Sequence, residues 1–220
     1  MLLLLACIQT STPATPEALA VSNAEPIAEP AAEPLPPDSP CPTAAVALAA
    51  LYPDTLDAAD PRLQRTDLVV VRKAARRVML FDRGALVESA CWRTGLGFAP
   101  EGHKTVEGDG RTPEGFYTTS DKPWSQFYGA IAVHYPGEAD AEAAQADGRI
   151  STATKRGILA SLARGEKPDQ NTGMGGEILL HGGGGSSDWT LGCVALDNGD
   201  LDILRAALPR GMKTTVLILP

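Results

Sequence analysis

Two segments near the end of the chain carry the residues best suited to covalent chemistry. Leu180 is followed by His181 and four glycines, and Cys193, directly behind Gly192, lies twelve residues after His181. A thiol attacks at neutral pH when an adjacent base removes its proton, and an imidazole serves well as that base. We therefore predict that Cys193 is a nucleophile and that His181 is its base.

The glycines beside this pair predict loops whose backbone approaches a ligand closely. Glycine permits backbone conformations that other residues avoid, and amides that converge on one point stabilise a developing oxyanion. The expected backbone donors are the amides around Gly192 and Cys193, together with Gly182 and Thr190.

The chain contains two further histidines, His103 and His134. His103 falls in a loop rich in glycine and proline, and His134 falls inside a predicted strand, so we place the base at His181. The accepting tautomer of His181 requires a hydrogen-bond acceptor at its other ring nitrogen. We expect a carbonyl within residues 183–187 or the carboxylate of Asp188.

Other chemistries fit these residues less well. A phosphate-binding loop needs a lysine followed by serine or threonine after the glycines, and that pair is missing. A zinc site needs ligands at paired spacing, whereas the three histidines and four cysteines are scattered. In a papain-like protease the cysteine precedes the histidine, which is the reverse of the order here. We expect no metal and no organic cofactor.

Short apolar runs separated by turn residues predict a β-rich domain around these segments. The expected strands cover residues 67–71, 77–81, 85–92, 116–119, 130–135, 177–180 and 214–219. Helices are expected over residues 43–51, 138–145, 152–163 and 198–207. The predicted fold class is mainly β (α+β), a β-sandwich-like domain with a few short peripheral helices.

The N-terminal part of the chain has a different composition. Residues 1–7 end in Leu-Leu-Ala-Cys, which is typical of a lipobox and predicts a truncated lipoprotein-type signal with lipid on Cys7. Residues 8–64 are rich in Ala, Pro and Glu and bury too little apolar surface to fold alone, so they predict a linker with one short helix. The catalytic domain is expected at residues 65–220.

The charge and hydropathy of the chain indicate which classes of partner it can bind. The chain has 19 basic and 27 acidic residues, a formal net charge of −8. Nucleic-acid binding requires clustered Lys and Arg, so we expect no nucleic acid. The five apolar residues after Met1 are far fewer than the about 20 that span a bilayer, so membrane attachment is expected through a lipid anchor.

The two segments and an upstream loop together resemble the L,D-transpeptidase catalytic domain family (YkuD type). In that family a His-Gly strand end precedes a Ser/Thr-His-Gly-Cys loop. Residues 95–104 and 108–117 resemble the family patterns Gly-x-x-x-x-Pro-x-Gly-x-Lys and Gly-Asp-x-x-Thr-Pro-x-Gly-x-Tyr. The resemblance covers roughly residues 67–220 and implies a β-sandwich-like enzyme of the cell envelope or periplasm that acts on peptidoglycan stem peptides.

The resemblance also implies a mechanism. Cys193 would form a thioester with a stem tetrapeptide, and an amine would resolve it, which gives a cross-link or attaches a lipoprotein to the wall. A murein hydrolase or amidase with the same Cys-His pair is an alternative, as is a non-catalytic peptidoglycan-binding module. Residues expected to line the substrate groove are Trp124, Tyr128, Asp188 and Trp189.

Two positions depart from the common family motif. Leu191 stands where a second histidine is common, and Ala195 stands where an arginine often follows the cysteine. Both departures, and the Tyr-Pro-Gly-Glu-Ala-Asp run of residues 135–140, resemble the YafK branch of the family. That branch includes an enzyme that hydrolyses the link between murein and its lipoprotein, so transpeptidation and hydrolysis both remain open.

The cysteines fit an exported protein. If Cys7 carries lipid and Cys193 stays free, Cys41 and Cys91 remain. In an oxidising compartment these two would form a disulfide that pins the linker to the domain; the alternative is that both are unpaired.

Overall fold

The architecture is built on one eight-stranded sheet. The computed structural model describes residues 41–42, 48–51 and 56–220. The predicted lipidation site, Cys7, therefore lies outside the described residues, as do most of the predicted linker and the first part of the predicted helix over residues 43–51. The strands are β1 (Leu68–Arg72), β2 (Arg77–Asp82), β3 (Ala85–Arg93), β4 (Gly115–Asp121), β5 (Ile131–Val133), β6 (Leu179–His181), β7 (Val194–Ala195) and β8 (Thr215–Leu219).

The helices are short and lie around the sheet. They are α1 (Leu48–Leu51), α2 (Glu138–Ala146), α3 (Thr152–Ala163) and α4 (Asn198–Ala207), with 3-10 turns at Pro61–Gln64 and Arg210–Met212. Helix α3 begins where the Ser151 hydroxyl accepts the Thr154 amide at 3.0 Å, which satisfies an otherwise unpaired donor of its first turn. None of the helices in the described part of the chain has the length and hydropathy of a membrane-spanning helix.

The strand order in the sheet is β3-β2-β1-β8-β4-β5-β6-β7. Two of the pairs are parallel, β1 with β8 and β6 with β7, and the others are antiparallel. The parallel pair at the far edge sets Leu180 opposite Val194 and His181 opposite Ala195. The predicted mainly β fold with peripheral helices is thus confirmed.

Both faces of the central strands are covered. Side chains alternate between the two faces of a strand, so Val69 and Val71 enter the large core cluster while Leu68 and Val70 enter a smaller one. The smaller cluster also contains Leu48 and Leu63, which are fully buried. The packed part of the chain therefore begins before residue 65, the predicted start of the domain, because these leucines cover an apolar sheet face.

Cys41, at the start of the described residues, is joined to the sheet covalently. Cys41 and Cys91 form a disulfide in the structure, with their Cα atoms 6.0 Å apart. Cys91 lies in β3, so the bond ties residue 41 to an outer strand of the sheet. This is the pairing of the two cysteines that the sequence left open.

Most elements lie where the sequence predicts them, and the differences have local causes. The predicted strand over residues 177–180 begins only at Leu179, because Glu177 has a left-handed backbone (φ 55°) that does not fit a strand. The predicted strand over residues 130–135 is reduced to β5. Strand β7 is two residues long, too short for any alternation pattern to predict it.

Candidate active site

Strands β6 and β7 bring the predicted nucleophile and base to one face of the sheet. The core face of these strands carries Leu180 and Val194. The opposite face carries Leu179, with which the Cys193 side chain packs. His181 follows Leu179 by two residues and so lies on this same face.

His181 is held in the tautomer that a general base needs. Its Nδ1 lies 2.6 Å from the carbonyl oxygen of Gly182. Because a carbonyl can only accept, Nδ1 carries the proton, and Nε2 is left to take one. The predicted acceptors, a carbonyl within residues 183–187 or the Asp188 carboxylate, are wrong: the carbonyl of the next residue fills this role.

Aromatic rings fix the orientation of the imidazole, which is 1 % exposed. Phe127 stacks on it with ring centroids 4.5 Å apart, and Trp189 meets it edge-on at 5.6 Å. The indole N–H of Trp189 donates to the Gly184 carbonyl at 3.1 Å. Burial lowers the pKa of His181 below its ordinary 6.5, although the bond to the Gly182 carbonyl acts in the opposite direction. The imidazole is therefore neutral at pH 7.

The thiol of Cys193 is also neutral at rest. It is partly exposed and free, and it donates to the carbonyl of Glu177 at 3.4 Å. Burial raises the pKa of Cys193 to about 11, and the favourable backbone contact from Leu179 only partly offsets this. The pair rests as thiol and imidazole, so the proton must move to His181 as the sulfur attacks.

A tight turn presents the thiol. The Thr190 hydroxyl donates to the Cys193 carbonyl at 2.8 Å and accepts the Gly192 amide at 3.1 Å. Gly192 has φ 129°, and a Cβ at this position would lie 2.6 Å from the carbonyl oxygen of Arg111. Glycine is required here by both backbone conformation and packing.

The amides expected to hold an oxyanion are already engaged. The Gly182 amide donates to the Tyr128 carbonyl at 2.9 Å, and the Thr190 amide donates to the Leu96 carbonyl at 3.1 Å. The Gly192 amide is taken by the Thr190 hydroxyl. Since each amide has one proton, these three do not serve a ligand in this arrangement, and the prediction of Gly182, Thr190 and Gly192 as donors is wrong for the structure as it stands.

The glycine run is likewise a structural loop. The amides of Gly183 and Gly185 donate to the side chains of Asn198 and Asp197, at 3.0 and 3.2 Å. The Gly184 amide donates to the Leu196 carbonyl at 3.0 Å. The run therefore docks on the start of α4, with its amides turned toward the protein instead of a ligand.

Cys193 and His181 line the same cleft, which has a volume of about 940 Å³. Of the four residues predicted to line the groove, Trp189 does so. Asp188 instead pairs with Arg76, at 2.7 Å between Nη2 and Oδ2, and accepts the Leu96 amide. The remaining lining residues are Lys104, Glu107, Gly108, Gln126, Phe127, Lys167, Gln170, Asn171, Gly175, Gly176, Glu177, Ile178, Thr190 and Leu191.

The other two aromatic candidates lie outside the cleft lining. Trp124 is 77 % exposed, and the hydroxyl of Tyr128 donates to Asp202 at 2.8 Å on the surface. Phe127, between them in sequence, is the ring that contacts His181. The aromatic cluster in residues 124–128 was a usable signal for this contact, but adjacency in sequence does not tell which ring turns inward.

The remaining histidines are tied into structural networks away from the cleft. His103 accepts the Glu114 amide at Nδ1 and lies 3.0 Å from Asp140 through Nε2. His134 is buried between the hydroxyls of Thr118 and Ser120, at 3.0 and 2.9 Å. Burial, reinforced by nearby lysines, lowers the pKa of His134 to about 4. Neither histidine lines the cleft, which supports the choice of His181.

One family of known proteins matches most of the chain. The family model for the L,D-transpeptidase catalytic domain (YkuD) matches residues 66–218. No curated protein sequence matches the chain significantly.

Similar solved structures include the helical cell shape determining protein Pgp2 from Campylobacter jejuni, with 23 % identity, 70 % of this chain and 47 % of that chain covered, and a TM-score of 0.45. Bd1075 from Bdellovibrio bacteriovorus has 22 % identity, 73 % and 50 % coverage and a TM-score of 0.43. An L,D-transpeptidase from Xylanimonas cellulosilytica has 12 % identity, 70 % and 61 % coverage and a TM-score of 0.40. This chain spans about half the length of the first two. On the family model, which covers most of its length, the chain belongs to the L,D-transpeptidase catalytic domain family.

Proposed function

We propose that the protein is a cysteine-dependent L,D-transpeptidase that transfers the acyl group of peptidoglycan stem tetrapeptides. One observation carries the proposal: the free Cys193 and His181 line a common cleft, and the Gly182 carbonyl fixes the proton of His181 on Nδ1. This leaves Nε2 as a base on the cleft side of the sheet. Family membership supplies the substrate class, because L,D-transpeptidases act on the cell wall.

The reaction has two halves. Cys193 Sγ attacks the carbonyl at the L-centre of the third residue, and its proton passes to Nε2 of His181. When the bond to the fourth residue breaks, His181 returns this proton to the departing D-alanine amine, which leaves a thioester on Sγ. An amine or water then attacks the thioester, and His181 accepts the proton of this attacking group. His181 passes the proton to Sγ as the thioester bond breaks, which restores the thiol of Cys193.

The backbone amide of Cys193 itself is the donor we propose for the oxyanion. The amides of Gly182, Thr190 and Gly192 are engaged elsewhere. The turn that binds the Cys193 carbonyl to Thr190 holds the peptide unit next to the nucleophile rigid. A fixed donor at that point is worth about 3–4 kcal/mol to the transition state.

The acceptor decides between synthesis and hydrolysis. Position 195, where an arginine is common in the family motif, is an alanine that is fully buried and exchanges backbone hydrogen bonds with Gly95. Its methyl group offers no charge to an acceptor, and Leu191 at the rim is 71 % exposed and apolar. These two positions support the YafK-like branch and keep hydrolysis as the second candidate, with a lipoprotein amine as a further candidate acceptor.

We further propose that the enzyme works in the cell envelope on a lipid anchor at Cys7. The support is the lipobox sequence, followed by a Pro-rich segment long enough to act as a tether. Globomycin should cause a larger precursor to accumulate in cells. A Cys7→Ser variant is the control, and its mass should not respond to globomycin. If the mass of the unmutated chain also stays unchanged, the lipid anchor is contradicted.

The test of activity is product mass spectrometry with disaccharide-tetrapeptide. The full chain carries Cys7→Ser throughout and is compared with its Cys193→Ala derivative. We expect loss of D-alanine with a 3→3 dimer from the parent and no product from the Cys193→Ala protein. Tripeptide without dimer would assign the hydrolase, and no turnover by either protein would leave the non-catalytic binding module.

A further inference from the structure

The wall of the cleft beside the thiol is formed by a residue in an unusual position. Glu177 has φ 55°, and its carbonyl is the one that accepts the Cys193 thiol. Its amide donates to Oε1 of Gln170 at 2.7 Å, and Gln170 in turn donates to the carbonyls of Tyr135 and Pro168. The backbone of Glu177 is therefore fixed against the nucleophile.

The side chain of Glu177 lies between two ammonium groups. Lys167 donates to Oε1 at 2.6 Å and Lys122 donates to Oε2. The two lysine side chains are mostly buried, at 25 % and 16 % exposure, whereas the carboxylate between them is 54 % exposed. Two positive charges face one negative charge, so the group carries a surplus of one positive charge.

This surplus is specific to one side of the cleft. Lys104, the other lysine that lines it, is neutralised by Asp109 at 3.0 Å and donates to the Val106 carbonyl. Lys167 and Glu177 both line the cleft together with Cys193. Lys122 is outside the cleft lining and reaches it only through Glu177, whereas Lys167 lines the cleft directly. Glu107 also lines the cleft, so the positive surplus is confined to the group formed by Lys122, Glu177 and Lys167. An anionic ligand that joins Glu177 at this group would meet that surplus charge.

We propose that Lys122 and Lys167 form a carboxylate-binding subsite that fixes the stem peptide at the scissile bond, with Glu177 as the internal counter-ion of the two lysines. The inference rests on the proposed function for the identity of the substrate. Two carboxylates of the stem peptide can lie near the attacked carbonyl: the C-terminal carboxylate of the fourth residue, and a side-chain carboxylate on the diamino acid at position three itself. Both present the same chemistry to an ammonium pair.

The subsite is first tested without turnover, by alkylation of Cys193 in the full chain carrying Cys7→Ser. Anionic iodoacetate and neutral iodoacetamide are compared at low ionic strength, where charge attraction is least screened. We expect Lys167→Gln and Lys122→Gln each to lower the iodoacetate to iodoacetamide rate ratio about three- to tenfold, and Lys167→Arg to retain it. Lys155→Gln, which removes a lysine paired with Glu142 on the helices, should leave the ratio unchanged. Equal ratios in all variants would overturn the subsite whatever the enzyme's activity.

The second test identifies the carboxylate. Kinetics are measured with the tetrapeptide, with its C-terminal amide, and with a peptide amidated at the third-residue side chain. For the unmodified peptide we expect Lys167→Gln to raise KM about ten- to hundredfold with a smaller change in kcat, because a charge-assisted bond is lost. The wild type should discriminate against one of the two amides, and Lys167→Gln should not. If Lys167→Gln discriminated against the same amide as strongly as the wild type does, the proposed subsite would be contradicted. If the wild type showed no turnover but the alkylation ratios changed as expected, only the proposed function would be refuted.

Discussion

The two halves of the sheet are built differently. Strands β3, β2, β1, β8 and β4 are five to nine residues long and bury apolar side chains on both faces of the central pair. Strands β5, β6 and β7 are two or three residues long, and the Cys193 side chain packs against a small cluster of only three buried residues, Ala130, Ala132 and Leu179. The first half is a scaffold; the second half is a platform.

The difference shows where the precision of the site comes from. Short strands provide few ladder bonds, so the platform relies on individual contacts: Nδ1 of His181 to the Gly182 carbonyl, and the Thr190 hydroxyl across the turn to Cys193. In the scaffold, stability comes from apolar area removed from water and is spread over many residues. Substitutions in the platform should therefore affect turnover, and substitutions in the scaffold should affect stability.

The largest effect is expected at the base. His181→Gln should lower turnover of the tetrapeptide at least about 1000-fold, because the thiol, with its pKa raised to about 11, has no acceptor for its proton. Steady-state kinetics and urea unfolding are measured together, with His134→Gln as the matched control at pH 7. Near-normal turnover of His181→Gln would show that another group acts as base.

A scaffold substitution should give the opposite pattern. Leu217→Ala removes a buried side chain from the smaller apolar cluster and should lower the free energy of unfolding by about 2–5 kcal/mol. Turnover per folded molecule should stay within about twofold, since the cleft is not touched. Ile203→Ala, at an exposed position of α4, is the control and should change stability by less than about 0.5 kcal/mol. A selective loss of turnover in Leu217→Ala would erase the distinction between the two halves.

The loss of stability at acid pH should come in part from His134, which joins the end of β5 to β4. His134 has a folded-state pKa of about 4, below its ordinary value, because burial disfavours its charged form. Its contribution is thus complete above about pH 6.5 and is lost as pH falls from about 6.5 to about 4, up to about 3 kcal/mol. Urea unfolding of the wild type and His134→Gln at pH 4 to 7 measures it. A His134→Gln protein with the same slope in this window would contradict this attribution.

A smaller effect is expected at the turn before the nucleophile. Gly192→Ala forces a Cβ against the Arg111 carbonyl and should lower turnover about ten- to hundredfold by displacing Cys193. Gly157→Ala is the matched control: this glycine of α3 has open space around its Cβ position, and alanine should stabilise the helix by about 0.5–1 kcal/mol. If Gly192→Ala turned over normally, the tight turn would not be what places the thiol.

The scaffold could be predicted from sequence because its signals are local. The runs that became β1, β2 and β3 alternate or are continuously apolar and are divided by turn residues at 73–76 and 83–84. Helix α3 matches its predicted bounds, residues 152–163, because a serine cap precedes it and Gly165 follows it. Such signals lie within a dozen residues of the element they define.

The platform could be predicted only in part. The order and glycine context of His181 and Cys193 indicated the pair, but the partner of each amide depends on contacts between distant segments. Tyr128 and Leu96, which accept the Gly182 and Thr190 amides, come from other parts of the chain. No sequence motif predicts the contacts of Glu177 with the two ammonium groups, because the fold brings Lys122 and Lys167 to it from other parts of the chain.

The role of Cys193 as nucleophile is tested most directly by the intact mass of the protein during turnover. The full chain carrying Cys7→Ser is mixed with disaccharide-tetrapeptide, quenched in acid within seconds, and mapped by proteolysis. We expect an adduct equal to the donor minus D-alanine, located on Cys193 and absent from Cys193→Ala. Continued turnover without any adduct on Cys193, and undiminished in Cys193→Ala, would show that this cysteine is not the nucleophile.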